Sequence, residues 1–319
     1  MNLTNKTVIK DLLKKHGARP EKYFGQHFIL SKKALTQMVM AAEIKKNDTI
    51  IEIGPGLGTL TQELAKIPHS FSKGGEPRII AVEKDPKMIN ILKETLADYK
   101  NIKIVQADAR LSILRIDSLV HKMGITKEKG EYKIVANLPY NVATFLIRSW
   151  LEMKNPPKQM VLMIQKEVAQ RICAKPRLRA YSAEATSAAK AGQGYGGQAH
   201  MNLLAVSTQF LAIAKIIGYV PAEAFWPKPK VDSAIIKIVP RIFNSASFVS
   251  DRKQMMQVVK AGFSQPRKQL IGNLAKKLNV PKEKLLEIFK KLNIRERVRA
   301  ENLSLEQWIS LSTSLHLTI

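Results

Sequence analysis

The sequence predicts an α/β fold, in which helices cover a mostly parallel sheet, followed by a small helical domain. Between about residues 48 and 240, short β-branched runs alternate with helical stretches. Such alternation is typical of parallel strands joined by crossover helices. After Pro240 only helical patterns follow. The 319 residues are enough for one full-sized domain and a smaller appended one.

Five apolar, β-branched runs are predicted to be successive strands of this sheet. They cover residues 49–53, 78–82, 102–106, 133–136 and 160–164. Two further runs, at 213–217 and 234–239, flank a proline-rich turn and predict an antiparallel hairpin at one edge of the sheet. The first domain is therefore predicted to span residues 1–240, with the N-terminal segment 1–47 included.

Residues 241–319 are predicted to form a small all-α domain. Helical patterns cover about 252–261, 266–278, 281–292 and 304–315, and Pro281 and Ser304 stand at suitable helix starts. A polar, glycine-rich stretch at about 179–199 has no apolar period and is predicted to be a mobile insertion in the first domain. We interpret it as inert, with closure over a nucleic acid as the alternative.

The charge of the chain indicates a polyanionic partner. It contains 52 Lys and Arg against 26 Asp and Glu, a formal net charge of +26. Nucleic acid is the commonest partner for such a surplus, and an anionic membrane surface is a weaker alternative. Cations of the helical domain together resemble a phosphate-contacting surface, although each alone could belong to a solvated helix face. They are Arg267, Lys268, Lys276, Lys277, Lys282, Lys284, Lys290, Lys291, Arg295, Arg297 and Arg299.

The sequence also predicts where in the cell the protein is located. No apolar run of about 18 residues or more and no signal-peptide pattern is found, so we expect a soluble, cytoplasmic protein that does not enter membranes. Cys173 is the single cysteine, which excludes an internal disulfide and fits a reducing compartment. The six histidines are scattered without ligand spacing, and we therefore expect no metal site.

A glycine-rich segment follows the first predicted strand. Glu52-Ile53-Gly54-Pro55-Gly56-Leu57-Gly58 leads directly into a helical stretch at 59–66. Glycines at such a place let the backbone turn tightly and approach a ligand without a Cβ in the way. Alone, this pattern is weak, because dinucleotide enzymes, methyltransferases and ordinary turns all contain it.

Acidic residues at the ends of the next two strands strengthen the prediction of a ligand site. Glu83 can accept hydrogen bonds from the two ribose hydroxyls of a nucleoside cofactor, and Asp108 can accept one from its adenine amine. Either acid alone could equally cap the following helix. Together with Glu52, however, they place acids at three consecutive strand ends, which predicts a shared site.

Asn137-Leu138-Pro139-Tyr140 follows the fourth predicted strand. A flat base that carries an amine needs acceptors for its N–H groups and an aromatic face to stack on. Asn137 Oδ1 and a nearby backbone carbonyl can take the two amine hydrogens, and Tyr140 can stack on the ring. Methyl transfer from a sulfonium is an in-line displacement that needs positioning rather than an enzyme nucleophile. This motif favours a methyltransferase over a dehydrogenase, unless the four residues form a plain turn.

Several motifs between about Leu12 and Leu311 occur together in one known family. They are Gly25-Gln26-His27-Phe28-Ile29, the run 52–58, Asn137-Leu138-Pro139-Tyr140-Asn141, Gln165-Lys166-Glu167-Val168, Phe225-Trp226-Pro227-Lys228-Pro229-Lys230-Val231-Asp232-Ser233 and Arg299-Ala300-Glu301-Asn302-Leu303. With them the chain resembles the small-subunit ribosomal RNA adenine N6-dimethyltransferases. The resemblance implies a Rossmann-like, S-adenosylmethionine-dependent methyltransferase sheet and a small helical C-terminal domain. It also implies N6,N6-dimethylation of two adjacent adenosines in the 3′-terminal hairpin loop of 16S rRNA.

The resemblance also implies roles for individual residues. Cofactor contacts are expected at His27, Ile29, Gly54, Glu83, Asp108 and Asn137. The target base is expected at Asn137, Leu138, Pro139 and Tyr140, with Phe225 helping to enclose a flipped adenine. His27 and Ile29 come from the resemblance alone. Without it, His27 would be interpreted as a packed or surface histidine, and Phe225 could equally be a core residue of the hairpin.

Three departures from the family pattern limit the transfer. Ile29 stands where the family usually has Leu, and Leu204-Ala205-Val206 follows the polar insertion where the family has a compact stretch. Pro266 removes one of two adjacent arginines, so a slightly altered RNA footprint is expected. The expected partner is the small-subunit rRNA in an immature 30S subunit, bound by a monomer during ribosome biogenesis.

Two alternatives stay open, one of them an enzyme with the same fold and cofactor motifs and the other a binding protein. The first is a large-subunit rRNA adenine methyltransferase of the antibiotic-resistance type, against which the runs 230–233 and 299–302 argue. The second is a non-catalytic assembly or transcription factor on the same fold, against which the retained Glu83, Asp108, Asn137 and Tyr140 argue. A DNA adenine methyltransferase is a weaker option, because those enzymes usually carry Asp-Pro-Pro-Tyr or Asn-Pro-Pro-Tyr with different flanks. Protein glutamine methyltransferases also use an Asn-Pro-Pro-Tyr form, but the net charge of +26 suits RNA better.

Overall fold

The structure of the chain is a computed structural model that describes residues 1–21, 25–45, 48–67, 79–109, 132–153, 155–176, 200–241 and 248–315. The predicted insertion at about 179–199 lies outside these residues. Contacts divide the chain into two compact units, one of Met1–Ala169 and Ala212–Pro240, the other of Gln170–Leu211 and Arg241–Ile319. Within the described part, no helix is both long enough and apolar enough to cross a membrane.

The first unit is built on strands and flanking helices. Its described strands are β1 Phe28–Ile29, β2 Thr49–Ile53, β3 Ile79–Glu83, β4 Ile102–Gln106, β5 Tyr132–Asn137, β6 Gln159–Gln165, β7 Ala212–Val220, β8 Phe225–Trp226 and β9 Ser233–Pro240. Its described helices are α1 Lys6–Lys15, α2 Lys32–Ala41, α3 Thr59–Ala65, α4 Pro86–Thr95 and α5 Ala143–Leu151. A further helix, α6 Lys166–Ile172, contains the boundary between the units.

Seven of the strands form one sheet in the order β4-β3-β2-β5-β6-β9-β7. The first five are parallel, and β9 runs antiparallel to both β6 and β7. Ile51 and Ile80, paired at the centre, are completely buried, as expected where helices cover both faces of a parallel sheet. The predicted doubly wound sheet with an antiparallel edge hairpin is confirmed.

The strand order reverses between β2 and β5. From β2 the chain proceeds through β3 to β4 on one side, and β5 then pairs with β2 on the other side. At such a switch point the connections leave in opposite directions and open a crevice at the carboxyl ends of the strands. The ends of these strands and the segments after them carry most of the predicted site residues, while His27, Ile29 and Phe225 lie in or beside β1 and β8.

The end of helix α2 is held by side chains from the sheet. Lys133 Nζ, on β5, donates to the carbonyls of Ala42 (2.9 Å) and Glu43 (2.7 Å) and forms an ion pair with Asp48 Oδ2 (2.7 Å). Gln159 Nε2 on β6 adds a second donor to the Ala42 carbonyl, at 3.0 Å. The last carbonyls of a helix have no partner within the helix, and these side chains supply one. Lys133 is 3% exposed, so this is a buried ionic contact.

Helices make up the second unit. In the part that the structure describes they are α7 Leu203–Leu211, α8 Phe248–Gly262, α9 Leu270–Leu278, α10 Lys282–Lys291 and α11 Leu305–Leu315. Ser304 starts α11 as predicted, because its hydroxyl accepts from Gln307 N (3.2 Å) while its own N–H donates to Gln307 Oε1 (3.0 Å).

Two details of this unit differ from the sequence-based expectation. Helix α9 begins at Leu270 and not near 266, because Asn273 Nδ2 donates to the carbonyls of Gly262 (2.7 Å) and Gln265 (3.0 Å) and holds a turn there. The sequence assigns residues 170–211 to the first domain, but Gln170–Leu211 is grouped with the helices. The reason is burial, since Ala205 and Val206 share an apolar cluster with Trp308.

Candidate active site

A cavity of about 230 Å³ is lined by segments that follow β2, β3, β4 and β5. Glu52 and the glycine turn line it from β2, and residues 25–29, before and within β1, complete its wall together with Phe225 of β8. The structure brings together every residue predicted for the site. His27, Ile29, Gly54, Glu83, Asp108, Asn137, Leu138, Pro139, Tyr140 and Phe225 all line this cavity.

The glycine turn after β2 leaves room for a ligand at one position and packs tightly at another. Gly54 has φ +67°, and a Cβ added there would meet no heavy atom within 4 Å. Gly58 has φ +88°, and a Cβ there would lie 3.1 Å from Leu96 Cδ2. Both positions favour glycine, since other residues rarely adopt positive φ. The turn therefore joins helix α3 closely to α4 and opens the cavity beside Gly54.

Glu83 is held rigidly at the end of β3. Its Oε1 accepts from Lys84 N (2.7 Å) and Asp85 N (2.9 Å), and its Oε2 accepts from Gly56 N (3.2 Å). Burial raises the pKa of Glu83, and these three backbone donors act in the opposite direction. A carboxylate fixed in this way presents its remaining lone pairs to the cavity in one orientation.

Asp108 lies beside Glu83 at the neighbouring strand end. Ala107 N donates to the Glu83 carbonyl (2.9 Å), which continues the β3–β4 pairing up to the cavity. Lys84 Nζ forms an ion pair with Asp108 Oδ2 at 2.8 Å. The two acids predicted from strand ends are therefore on adjacent walls, as the parallel topology requires.

The side-chain amide of Asn137 has a defined orientation. Its Nδ2 donates to the His27 carbonyl at 3.2 Å. Its Oδ1 accepts no hydrogen bond from the described residues, and Asn137 lines the cavity. The backbone after it is fixed because Leu138 N donates to the Met163 carbonyl on β6, at 3.1 Å. The arrangement leaves a carbonyl-type acceptor available to a ligand.

Tyr140 is held by its hydroxyl group and by one face of its ring. Its hydroxyl shares a hydrogen bond with Ser233 Oγ (2.7 Å), and its ring stacks on His27 with 5.8 Å between centroids and 25° between planes. Burial raises the pKa of Tyr140, so the phenol stays neutral. Ser233 is completely buried, and the sequence-based prediction gives it no individual role at the site. A hydroxyl at the start of a strand was the signal that could have identified it.

A two-stranded sheet closes one wall of the cavity. Strand β1 pairs with β8, with Ile29 opposite Phe225 and Phe28 opposite Trp226. His27 Nδ1 lies 2.6 Å from the Pro227 carbonyl and continues this connection. Phe225 is 3% exposed, belongs to an apolar core cluster and also lines the cavity. Both interpretations of Phe225 are therefore compatible, because it is a core residue whose position borders the site.

The residues fit a nucleoside cofactor and a base in one cavity. Two fixed carboxylates stand where ribose hydroxyls and an adenine amine could donate to them, and the open space at Gly54 admits a ligand close to the backbone. An amide acceptor and an aromatic ring stand where a second, amine-bearing ring could be held. This fold and cavity define a Rossmann-like methyltransferase.

Comparison with known proteins narrows this class. The chain belongs to the ribosomal RNA adenine dimethylase family, whose model matches residues 17–190 and 184–317. It is therefore an enzyme that methylates adenine in ribosomal RNA, with S-adenosylmethionine as the methyl donor of the family.

Relatives of nearly the same length agree with this assignment. A protein of Crocosphaera subtropica named ribosomal RNA small subunit methyltransferase A is 37% identical, over 92% of this chain and 97% of its own length. A protein of the same name from Streptococcus gordonii is 35% identical, over 99% of this chain and 98% of its own length.

Two solved structures share the fold. A dimethyladenosine transferase from Plasmodium falciparum has a TM-score of 0.65 at 23% identity, covering 89% of this chain and 96% of its own. The 23S rRNA methyltransferase ErmE has a TM-score of 0.63 at 21% identity, covering 90% and 99%.

Proposed function

We propose that this enzyme dimethylates N6 of two adjacent adenosines in the 3′-terminal hairpin loop of 16S rRNA, during maturation of the small subunit. The name shared by the full-length relatives supports the small-subunit target. The observation that carries the chemistry is the hydrogen bond from Asn137 Nδ2 to the His27 carbonyl. Because Asn137 Nδ2 already donates to this carbonyl, Oδ1 is the atom that Asn137 presents to an amine.

The cofactor roles follow from the cavity lining. Glu83 would accept from the ribose hydroxyls, and Asp108 would accept from the adenine amine. His27, Ile29 and Gly54 would supply the remaining contacts, with the open space at Gly54 allowing close approach to the backbone. When bound, S-adenosylmethionine supplies a methyl group on a sulfonium. The protein's part is to hold and orient the donor beside the base.

The target adenine would be held by the segment 137–140 and by Phe225. Asn137 Oδ1 and a backbone carbonyl nearby would accept the two N6 hydrogens, which directs the nitrogen lone pair away from the ring system. Leu138 and Pro139 shape the turn that carries this acceptor, and Tyr140 would stack on the base. Phe225 would cover the other side of a base that has left its stack. Catalysis then rests on orientation, since no nucleophile of the enzyme is needed.

A basic cleft in the second unit supports an RNA-binding role for that unit. The cleft has a volume of about 1020 Å³, and Glu301 is the one acid among its described lining residues. The cations that line it are Arg267, Lys268, Lys276, Lys277, Arg295, Arg297 and Arg299. This excess of positive charge around one concave surface matches the phosphate backbone of RNA. We propose that the cleft contacts rRNA phosphates, with Pro266 altering the footprint beside Arg267.

Replacing Lys276 and Lys277 by glutamine is expected to weaken RNA binding and reduce its salt dependence. Both side chains are exposed on α9 and line the cleft. Each lost phosphate contact should lower the slope of log K against log salt by about 0.7 to 0.9. Binding of an rRNA fragment measured at several salt concentrations gives this slope. The control replaces Lys282 and Lys284, which the sequence groups with these cations but which lie exposed on α10 and outside the cleft. An equal effect there would contradict the proposal.

The experiment that tests the proposed function compares two RNA substrates. We propose that the partner is the immature 30S subunit, met in the cytoplasm by a monomeric enzyme. Small subunits that lack the modification are incubated with the enzyme and S-adenosylmethionine, and the 3′-terminal hairpin is examined by mass spectrometry. Two dimethylated, adjacent adenosines are expected, and none in large-subunit RNA treated alike. Modification of the large-subunit RNA alone would instead favour the antibiotic-resistance type.

A further inference from the structure

Glu52 is a buried acid in the wall of the cofactor cavity, and the proposed roles leave it unused. It lies on β2 two residues before Gly54, is 2% exposed and lines the cavity. Its Oε2 is buried and has no hydrogen-bond partner among the described residues. Buried polar atoms almost always have partners, because an unsatisfied one costs free energy. An unpaired carboxyl oxygen at a ligand cavity therefore points to a function in ligand binding.

The surroundings of Glu52 keep its carboxyl group neutral. Burial raises the pKa of Glu52 to about 8, the nearby Thr61 hydroxyl acts in the opposite direction, and the charge of Glu83 on the adjacent strand adds to the rise. Lys84, the lysine of the described lining, is engaged with Asp108 at 2.8 Å. The titratable and charged groups of the lining are His27, Glu52, Glu83, Lys84, Asp108 and Tyr140. At neutral pH, Glu52 is therefore mostly protonated in the free protein.

We propose that Glu52 is the residue by which the cavity distinguishes the sulfonium cofactor from the neutral thioether that remains after methyl transfer. Its carboxyl group releases a proton to water when a cation shares the cavity, and takes one up from water when that positive charge is gone. The inference rests on the proposed cofactor roles of this cavity. The chemical class it recognises is a sulfonium ion against a thioether of otherwise equal structure.

Charge balance explains why protonation follows the ligand. An ionised carboxyl in a buried site is costly unless a positive charge lies near it, and a sulfonium provides that charge. After methyl transfer the sulfur is neutral, and Glu83 again disfavours a second negative charge beside it. Glu52 then regains its proton, which removes its attraction for the spent cofactor. The residue thus favours entry of the donor and exit of the product.

The sign of the pH dependence follows directly. Binding that releases a proton becomes tighter as pH rises, by up to about tenfold per unit, until the free carboxyl is ionised. S-adenosylmethionine should therefore bind more tightly as pH rises towards about 8 and change little above it. S-adenosylhomocysteine should show a much weaker dependence. The sulfonium lowers the pKa of the ligand's own ammonium group, and this contribution is the same in wild type and in a variant that lacks the Glu52 carboxyl, so comparing the two proteins isolates the part due to Glu52.

The test is calorimetry of the full chain with each of the two ligands. Titrations in two buffers of different ionisation enthalpy, near pH 7, give the number of protons released on binding. The wild-type protein should release on the order of one proton more with S-adenosylmethionine than with S-adenosylhomocysteine. Glu52→Gln keeps the shape of the neutral acid and should remove the part of this difference due to Glu52, together with its pH dependence. The ratio of the affinity of Glu52→Gln for S-adenosylmethionine to its affinity for S-adenosylhomocysteine should be about tenfold lower than in the wild type.

Two controls keep the outcomes distinct. Glu94→Gln removes a carboxylate on α4 that contacts Lys15 and His16 away from the cavity, and should behave as wild type. Equal proton release with both ligands in the wild type would overturn the inference without any variant. Retention of the wild-type pH dependence by Glu52→Gln would overturn it as well. If folded wild type bound neither ligand, the proposed cofactor roles would fail together with the inference.

Discussion

Replacing Asn137 by alanine is expected to lower kcat for methyl transfer by about 100- to 1000-fold, the usual loss when a positioned polar group of a reacting centre is removed. Asn137 Nδ2 is held by the His27 carbonyl at 3.2 Å, and alanine removes both this contact and the acceptor that orients the amine. Single-turnover transfer to immature small subunits measures the effect. Calorimetric binding of S-adenosylmethionine shows how much of the loss comes from the cofactor.

A matched control for this variant exists outside the site. Asn101 Nδ2 also donates to a backbone carbonyl, that of Ala65, at 3.2 Å. Asn101→Ala therefore removes a similar hydrogen bond of a partly buried amide without touching the cavity, and should leave kcat unchanged. Full activity of Asn137→Ala with bound cofactor would refute the proposed role of Asn137.

Replacing Lys133 by methionine is expected to destabilise the first unit by about 3 to 5 kcal/mol. The ammonium group donates to the carbonyls of Ala42 and Glu43 and pairs with Asp48 at 2.7 Å, and all of these contacts are lost together. Methionine fills a volume similar to that of lysine, so no large cavity forms. The lower free energy of unfolding therefore comes mainly from Asp48, which has lost its cation, and from the helix carbonyls, which have lost their donor. Urea unfolding followed by circular dichroism measures the change in the free energy of unfolding.

The same substitution at Lys237 provides the control. Lys237 on β9 pairs with Glu43 at 2.8 Å, but Glu43 is 68% exposed and such pairs contribute little. Lys237→Met should therefore change stability far less than Lys133→Met. Adding Asp48→Asn to Lys133→Met should recover part of the loss, because the unpaired buried charge is then removed. An equal decrease in the free energy of unfolding for both substitutions would show that the buried pair contributes no more to stability than the exposed one.

The effect of Lys133→Met should also depend on pH. Burial acts to raise the pKa of Asp48, but hydrogen bonds from Lys133 and Lys45 N outweigh it and lower the pKa below its usual value. A carboxyl with a lowered pKa in the folded state stabilises the protein above its unfolded pKa of about 3.9, and less as pH falls through the folded pKa. The difference between wild type and variant should therefore be full at neutral pH and shrink below about pH 4.

The central sheet could be predicted because its strands are buried on both faces. Such strands are continuous apolar runs in the sequence, as in Ile79–Glu83, and their alternation with helices predicts parallel pairing. Once the strands are parallel, the residues after their carboxyl ends must meet at one edge. Glu83, Asp108 and Asn137 could therefore be placed in one site before any coordinates were known.

Short and distant contacts could not be predicted in this way. Strands β1 and β8 have two residues each, which is too few for any periodicity, and they pair across most of the chain. Residues His27 and Ile29 were accordingly expected from the family resemblance alone. The helix Leu203–Leu211 is apolar, and its composition does not say which of two cores it joins.

The states of the buried charges also depend on packing that a single sequence does not reveal. Lys133 occurs in an apolar strand, where its pattern gives no hint of the three oxygen atoms around its ammonium group. Glu52 stands in a glycine motif, which does not reveal that its Oε2 is buried without a hydrogen-bond partner among the described residues. Ser233 becomes visible as the partner of Tyr140 only when β9 is placed next to β6.

The pairing of β1 with β8 sets the order in which the site can be completed during synthesis. A nascent chain that has emerged as far as Asn137 already contains the glycine turn, both carboxylates and the amide of the site. His27 and Pro227, whose contact closes the wall, are 200 residues apart, so this wall waits for the last strands of the first unit. Truncated chains that end before Phe225 would therefore contain part of the cofactor site but would lack the wall that encloses the base.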